Sequence, residues 1–229
     1  MEQLHNGFTL GLCDGAFPLS TDSMALSGFV RPGRNAKILD LGSGCGTLGL
    51  LLCAGDSNCQ VTGIELDMAA HSAALDNIRR NRLENRLESI CADLKTVSQL
   101  FPPGSFTCCV SNPPYFSGGP ASTTCQSARR EDCCTLEDLF QSAAWAIKYG
   151  GDFFLVHRPE RLGEIFACAS RHQMEPKRLC LVRHKPGDPV SLVLIQCRKG
   201  AKPGLLWEDL ILRESDGTPS AAYRKLYHL

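Results

Sequence analysis

The stretch from Lys37 to Cys53 constrains the fold more than any other. Lys37-Ile38-Leu39-Asp40-Leu41 has the length and apolar content of a buried strand, and Thr47-Leu48-Gly49-Leu50-Leu51-Leu52-Cys53 reads as a helix. Between them lies Gly42-Ser43-Gly44-Cys45-Gly46. Strand, glycine turn, helix is the layout of a nucleotide-binding crevice. The glycines let backbone approach a ligand closely, and the helix start offers N–H groups. The spacing is G-x-G-x-G, not the dinucleotide G-x-G-x-x-G, and by itself it reads equally well as a plain tight turn.

The alternation continues. Gln60–Ile64 is a second strand, with Glu65 at its carboxyl end about twenty residues after the glycine loop, where a carboxylate can accept ribose hydroxyls. A helix over Met68–Arg82 and a third strand over Leu87–Cys91 follow. The third strand ends at Asp93, placed to accept from an adenine amino group, although either acid alone also reads as a loop carboxylate or a helix cap. Phe106–Ser111 is a fourth strand. Next come a helix over Thr135–Tyr149, a strand over Asp152–His157 and a helix over Glu160–Arg171. Strands over Arg178–Val182 and Val190–Cys197 flank a Pro/Gly-rich turn and predict an antiparallel hairpin at the sheet edge. Residues 1–36 form an N-terminal extension with a short helix over Ser23–Val30, capped by Thr21 or Asp22. Residues 37–229 form the main domain of a single globular α/β unit with a parallel sheet. In a doubly wound sheet the first and fourth strands are neighbours and ligands sit outside their carboxyl ends, so the loops after them must face each other.

The loop after the fourth strand reads Asn112-Pro113-Pro114-Tyr115-Phe116. Two prolines have no N–H to donate, so the strand stops there, and they hold Asn112 extended. A stiff loop with an amide side chain, a bare carbonyl and an aromatic ring suits a planar group bearing an NH2.

In this order the motifs resemble the class I S-adenosylmethionine (SAM) methyltransferases. Asp40 to Gly46 looks like their first motif, Glu65 like their ribose acid, Asp93 like their adenine contact. Asn112 to Tyr115 is similar to the Asn/Asp-Pro-Pro-Tyr/Phe motif of enzymes that methylate amino or amide nitrogens. Within that class the chain resembles the tRNA1(Val) (adenine(37)-N6)-methyltransferase family. The likeness runs through Thr21-Asp22-Ser23, Gly118, Ala128-Arg129-Arg130-Glu131 (Arg-His is more usual there), Lys199-Gly200 and Asp216-Gly217. The resemblance implies a Rossmann-like, seven-stranded sheet with a terminal antiparallel hairpin. It implies SAM as cofactor, held by Thr21, Asp40, Gly42, Gly44, Gly46, Glu65, Asp93 and Asn112. Asn112, Pro113 and Tyr115 would be catalytic. Pro114, Phe116, Arg129, Arg130, Lys199 and Lys202 would hold a tRNA substrate. In the implied reaction the Asn112 side-chain oxygen and the Pro113 carbonyl accept from the adenine amino group, favouring a pyramidal nitrogen, while Tyr115 stacks on the flipped base.

Composition limits the rivals. A chain of 229 residues with 43% hydrophobic content can build one large domain. No apolar run is long enough for a membrane span, and no secretory signal opens the sequence. The 13 cysteines are scattered without a C-x-x-C, which argues for a reduced, cytoplasmic protein without a metal. Net charge is zero, yet ten Lys/Arg face four acids between His157 and Lys202, which suits either a phosphate-tracking surface or a solvated, partly paired face. A protein glutamine N5-methyltransferase shares the Asn-Pro-Pro-Tyr motif, but the resemblance to those enzymes implies a sizeable N-terminal helical substrate domain, and here only about thirty-six residues precede the first strand. A DNA adenine methyltransferase and a non-catalytic SAM-binding partner subunit complete the set of rivals. The latter should carry a degraded glycine loop or Asn-Pro-Pro-Tyr, and both are intact.

Overall fold

The computed structural model describes residues 1–4, 7–16, 18–113 and 134–227. A small antiparallel pair, β1 (Glu2–Gln3) and β2 (Thr9–Leu10), opens the chain. Helix α1 (Thr21–Phe29) follows, with Ser20 as its cap in place of the expected Thr21 or Asp22: Ser20 Oγ accepts from Ser23 N at 3.3 Å and Ser23 Oγ accepts from Ser20 N at 3.3 Å. The core then runs β3 (Lys37–Leu41), α2 (Thr47–Gly55), β4 (Gln60–Glu65), α3 (Met68–Arg80), β5 (Leu87–Cys91), α4 (Val97–Leu100) and β6 (Phe106–Ser111). After the undescribed stretch come α5 (Leu136–Ala146), β7 (Ile147–His157), α6 (Leu162–Arg171), β8 (Met174–Arg183), β9 (Leu192–Lys199), β10 (Leu206–Ile211) and α7 (Ala221–Tyr227).

The main sheet has eight strands in the order β10-β8-β9-β7-β6-β3-β4-β5. Strands β3 to β7 are parallel, β9 runs antiparallel to β7 and β8, and β10 pairs parallel with β8. The doubly wound arrangement and the antiparallel hairpin of β8 and β9 are as expected, but β10 covers that hairpin, which is therefore not the sheet edge, and the strand count is one higher than seven. The added strand is β10. It places Glu208 and Asp209 mid-strand and leaves Trp207 61% exposed, so its pattern is poor in buried apolar residues. The Glu208 carboxylate fastens it to Arg178 of β8 at 2.7 and 3.0 Å, and charges on an edge strand also discourage further pairing.

One junction also differs from expectation. Helix α5 stops at Ala146, and Ile147 already pairs with Phe106, so Lys148 and Tyr149 are strand rather than helix. The ammonium of Lys199 closes that helix end, donating to the carbonyls of Ala144 at 2.5 Å and Ile147 at 2.9 Å.

Adjacent residues of each central strand enter opposite cores. Ile38, Cys108 and Phe154 pack with α1, α2 and α3, while Leu39, Cys109 and Phe153 pack with α5 and α6. This period of two, with both faces covered, is what makes the strands read as continuous apolar runs. The segment before α1 is tied to α3 by two amides one turn apart. Asn77 exchanges two 2.8 Å bonds with the backbone of Gly11, and Asn81 does the same with Thr9. Asn77 also donates to the carbonyl of Cys45 in the glycine loop at 2.9 Å.

Candidate active site

Strands β3 and β6 are direct neighbours, with Asp40 opposite Val110. Ser111 Oγ donates to the Leu41 carbonyl at 2.8 Å and pins the two strand ends together. Gly42 and Asn112 therefore leave the sheet side by side. Gly42, Gly44 and Gly46 have φ of +75°, +55° and +81°, a left-handed run that side chains resist. The loop turns over β4: the N–H groups of Gly42 and Ser43 both donate to the Ile64 carbonyl at 3.0 Å. Gly63 makes this possible, since a Cβ there would lie 2.6 Å from Ser43 Oγ. The sequence signal for Gly63 was a lone glycine inside a strand, which marks close backbone approach.

Three acids follow along the same sheet edge. Asp40 is 1% exposed, and neither carboxylate oxygen has a hydrogen-bond partner among the described residues. Burial, assisted by the charge of Glu65, pushes its carboxyl up to about 8, so the group holds its proton at neutral pH. Ionising it there is costly, which marks a place where a ligand cation would be welcome. Glu65 is held by two backbone donors, Gly44 N at 2.7 Å and Asp67 N at 2.8 Å, which orient its carboxylate beside the glycine loop. Asp93 caps a short turn over Leu94–Thr96, accepting from Lys95 N at 2.9 Å, with the Lys95 ammonium 3.4 Å away. The cap reading of Asp93 is thus realised, at the strand end where an adenine contact was expected. Asn112 is half-buried and Pro113 buried at the end of β6. Pro114, Tyr115, Phe116, Arg129 and Arg130 lie outside the described residues.

The model of the methyltransferase small domain family matches residues 21–166. The chain belongs to that family. Among curated relatives, a tRNA1(Val) (adenine(37)-N6)-methyltransferase of Bacteroides fragilis is 30% identical over 182 residues, covering 79% of this chain and 76% of the relative. The protein of the same name from Photobacterium profundum is 27% identical over 210 residues, covering 90% and 87%. Among solved structures, a predicted O-methyltransferase from Agrobacterium tumefaciens superposes with a TM-score of 0.77 at 23% identity, covering 91% of this chain and 96% of that one. A geranyl diphosphate C-methyltransferase from Streptomyces coelicolor gives 0.58 at 14% identity, covering 77% and 76%. These superpositions show the methyltransferase fold.

Other expected site residues of this methyltransferase fall elsewhere. Thr21 opens α1, receives a 3.5 Å bond from the Tyr227 hydroxyl, and lines a cavity on the β7–β9 side of Asn112. Lys199 ends β9, which runs antiparallel, so it sits at the amino end of the parallel strands, opposite the glycine loop. Lys202 lies just beyond it, its carbonyl accepting from Lys177 at 3.0 Å. The structure does not bring these two lysines beside Asn112. Much of the basic stretch is paired: Arg161 with Glu164, Arg171 with Glu137, Arg178 with Glu208, Arg183 with Asp209, Arg198 with Asp152. The paired-face reading of that stretch describes it better than a continuous phosphate track. Among the described residues no cluster of three metal-ligating side chains occurs, and no helix is long and apolar enough to cross a membrane.

Proposed function

We propose that the chain is a SAM-dependent methyltransferase that methylates N6 of an adenine in tRNA, the position beside the anticodon of tRNA-Val that its relatives' name specifies. The observation that carries this reading is the emergence of Asn112-Pro113 from β6 directly beside the glycine loop of β3. A cofactor in the glycine loop and an amino group on Asn112 would then meet at adjacent strand ends.

The residues present fit SAM. The left-handed glycine run leaves open space over Gly42 and Gly44, and Asp40 holds two unpartnered carboxylate oxygens beneath it. SAM carries an ammonium and a sulfonium, cations beside which the Asp40 carboxyl would give up its proton to solvent and pair as the carboxylate. Glu65, already fixed by two N–H donors, would accept the ribose hydroxyls, and Asp93, after β5, would take the adenine amino group. The bound SAM supplies an electrophilic methyl group. The protein's task is the nucleophile, whose lone pair is shared with the ring. The Asn112 side-chain oxygen and the Pro113 carbonyl accept its two N–H groups, and these bonds strengthen as the nitrogen gains positive charge, so they act on the transition state. Tyr115 stacks on the flipped base. The setting is the cytoplasm, in keeping with eleven described cysteines that are all free thiols.

Mass spectrometry of tRNA nucleosides from cells with and without the gene tests this. N6-methyladenosine in tRNA should vanish with the gene. Unchanged tRNA, with a glutamine methylated in a protein pool, would transfer the case to the protein N5-methyltransferase reading.

A further inference from the structure

A cavity of about 310 Å³ lies on the other side of Asn112 from the glycine loop. Its position follows from strand order. Strand β7 pairs with β6, with Leu155 opposite Ser111, so Arg158, one residue beyond β7, stands at the sheet edge next to the Asn112-Pro113 loop. Strand spacing is about 4.8 Å, so a planar group on Asn112 brings its covalent neighbours within reach of Arg158. The start of α1 forms one wall of the cavity, with Thr21 and Asp22. Arg158, His184 and Ser191 form the other, over a floor of buried Leu192 and Leu212.

The wall is fixed by backbone bonds. Arg158 Nη1 donates to the Ser191 carbonyl at 3.3 Å, and the His184 carbonyl accepts from Arg213 N at 2.8 Å. Both Arg158 and His184 are exposed and flank one concavity, with the Arg158 side chain and the His184 backbone held by these bonds. A guanidinium fork suits phosphate oxygens, and an imidazole adds a second donor. The volume is at the small end of ligand pockets, the size of a single nucleotide unit rather than a helix.

We propose that this cavity is the subsite for the nucleotide flanking the flipped adenine, its phosphodiester held by Arg158 and His184. The inference rests on the tRNA reading above. Asp22 on the facing wall is then an acceptor for a ribose 2′-hydroxyl, which a deoxyribose lacks. Lys199 and Lys202, the cations the sequence pointed to, take no part in it.

Fluorescence anisotropy with tRNA on the full chain, across a salt series, tests the subsite. The double variant Arg158→Gln/His184→Gln should bind tRNA at least tenfold more weakly, with the slope of log K against log salt reduced by about one for each phosphate no longer held. SAM affinity should not change. Asp22→Asn should narrow the preference for tRNA over a DNA of the same sequence. If the wild type methylates tRNA while the double variant keeps wild-type affinity and slope, the subsite is wrong and the function stands. If the wild type neither binds nor methylates tRNA, both readings fall together. Should the double variant lose SAM affinity as well, Arg158→Lys decides: it keeps the charge and loses the fork, so weaker tRNA binding at unchanged slope supports the subsite, and unchanged binding overturns it.

Discussion

The two ends of the sheet treat charge in opposite ways. At the carboxyl ends of β3 and β4, Asp40 is buried with no hydrogen-bond partner among the described residues, and Glu65 is held by backbone N–H groups beside a left-handed glycine loop. At the amino ends, Arg198 pairs with Asp152 at 2.8 and 3.1 Å, and Lys199 closes α5. Both ends carry charged side chains, but at one end acids stand beside the glycine loop without a cation and at the other cations are used up within the fold. Electrostatic cost concentrated on one edge is the physical mark of a binding site. Substitutions at the two edges put that contrast to the test.

The largest effect belongs to Asn112. Asn112→Ala should lower the transfer rate by about 100- to 1,000-fold, the usual scale for losing one transition-state hydrogen bond. SAM affinity measured by calorimetry should stay within a few-fold of wild type. Near-normal turnover would remove the amino-group mechanism and leave the carboxyl edge as a binding site alone.

Asp40 comes next, and its sign is unusual for an acid. Its folded-state carboxyl titrates at about 8, above the ordinary 3.8. The unfolded chain releases this proton as pH passes about 4, while the folded chain holds it to about 8. Stability of the ligand-free protein therefore falls as pH rises through that window and levels off above it. Asp40→Asn keeps the neutral shape, so it should stabilise the fold at pH 8 by on the order of a few kcal/mol, read as a higher thermal midpoint, and change little near pH 4. The same variant should bind SAM at least tenfold more weakly, since no carboxylate remains to meet a cation. A variant with unchanged midpoints at both pH values would show that the buried carboxylate costs the fold nothing.

How much of this is legible from the residues alone depends on how local each signal is. Strands β3, β5 and β6 fall where the apolar runs and the double proline put them, because period-two burial and proline chemistry act within a few residues. The glycine loop and Asn112 share that local character. Strand β10 was not legible, since Glu208 in its middle makes sense only once Arg178 stands beside it. The end of α5 was set by Lys199, more than fifty residues away in sequence. Arg158 and His184 were visible as members of a basic stretch, but charge counting cannot say which end of a strand a residue reaches. That takes the antiparallel turn of β9, which sends Lys199 to one edge while β7 carries Arg158 to the other.

Lys199→Met should separate fold from function at the amino edge. It leaves the Ala144 and Ile147 carbonyls without their ammonium donor, so stability should fall by roughly 1–2 kcal/mol in urea denaturation. Affinity for tRNA per folded molecule should hold. A tenfold loss of tRNA affinity at unchanged stability would reinstate Lys199 as a phosphate contact.

The smallest effect is expected at Lys202, and it bears most directly on the contrast between the edges. Lys202 is exposed and lies beyond β9 at the amino edge, where its carbonyl accepts from the Lys177 ammonium. A surface charge distant from the acceptor loop contributes only a screened, long-range attraction, since the Debye length is about 8 Å at physiological salt. Lys202→Gln should therefore change tRNA affinity by less than about twofold and leave the salt slope within error. Stability should move by less than about 0.5 kcal/mol, as for surface substitutions generally. Measured beside the Arg158/His184 variant in the same salt series, it shows whether RNA affinity is graded from one sheet edge to the other. Equal losses from both would mean that tRNA wraps both edges, and that the amino edge does more than finish the fold.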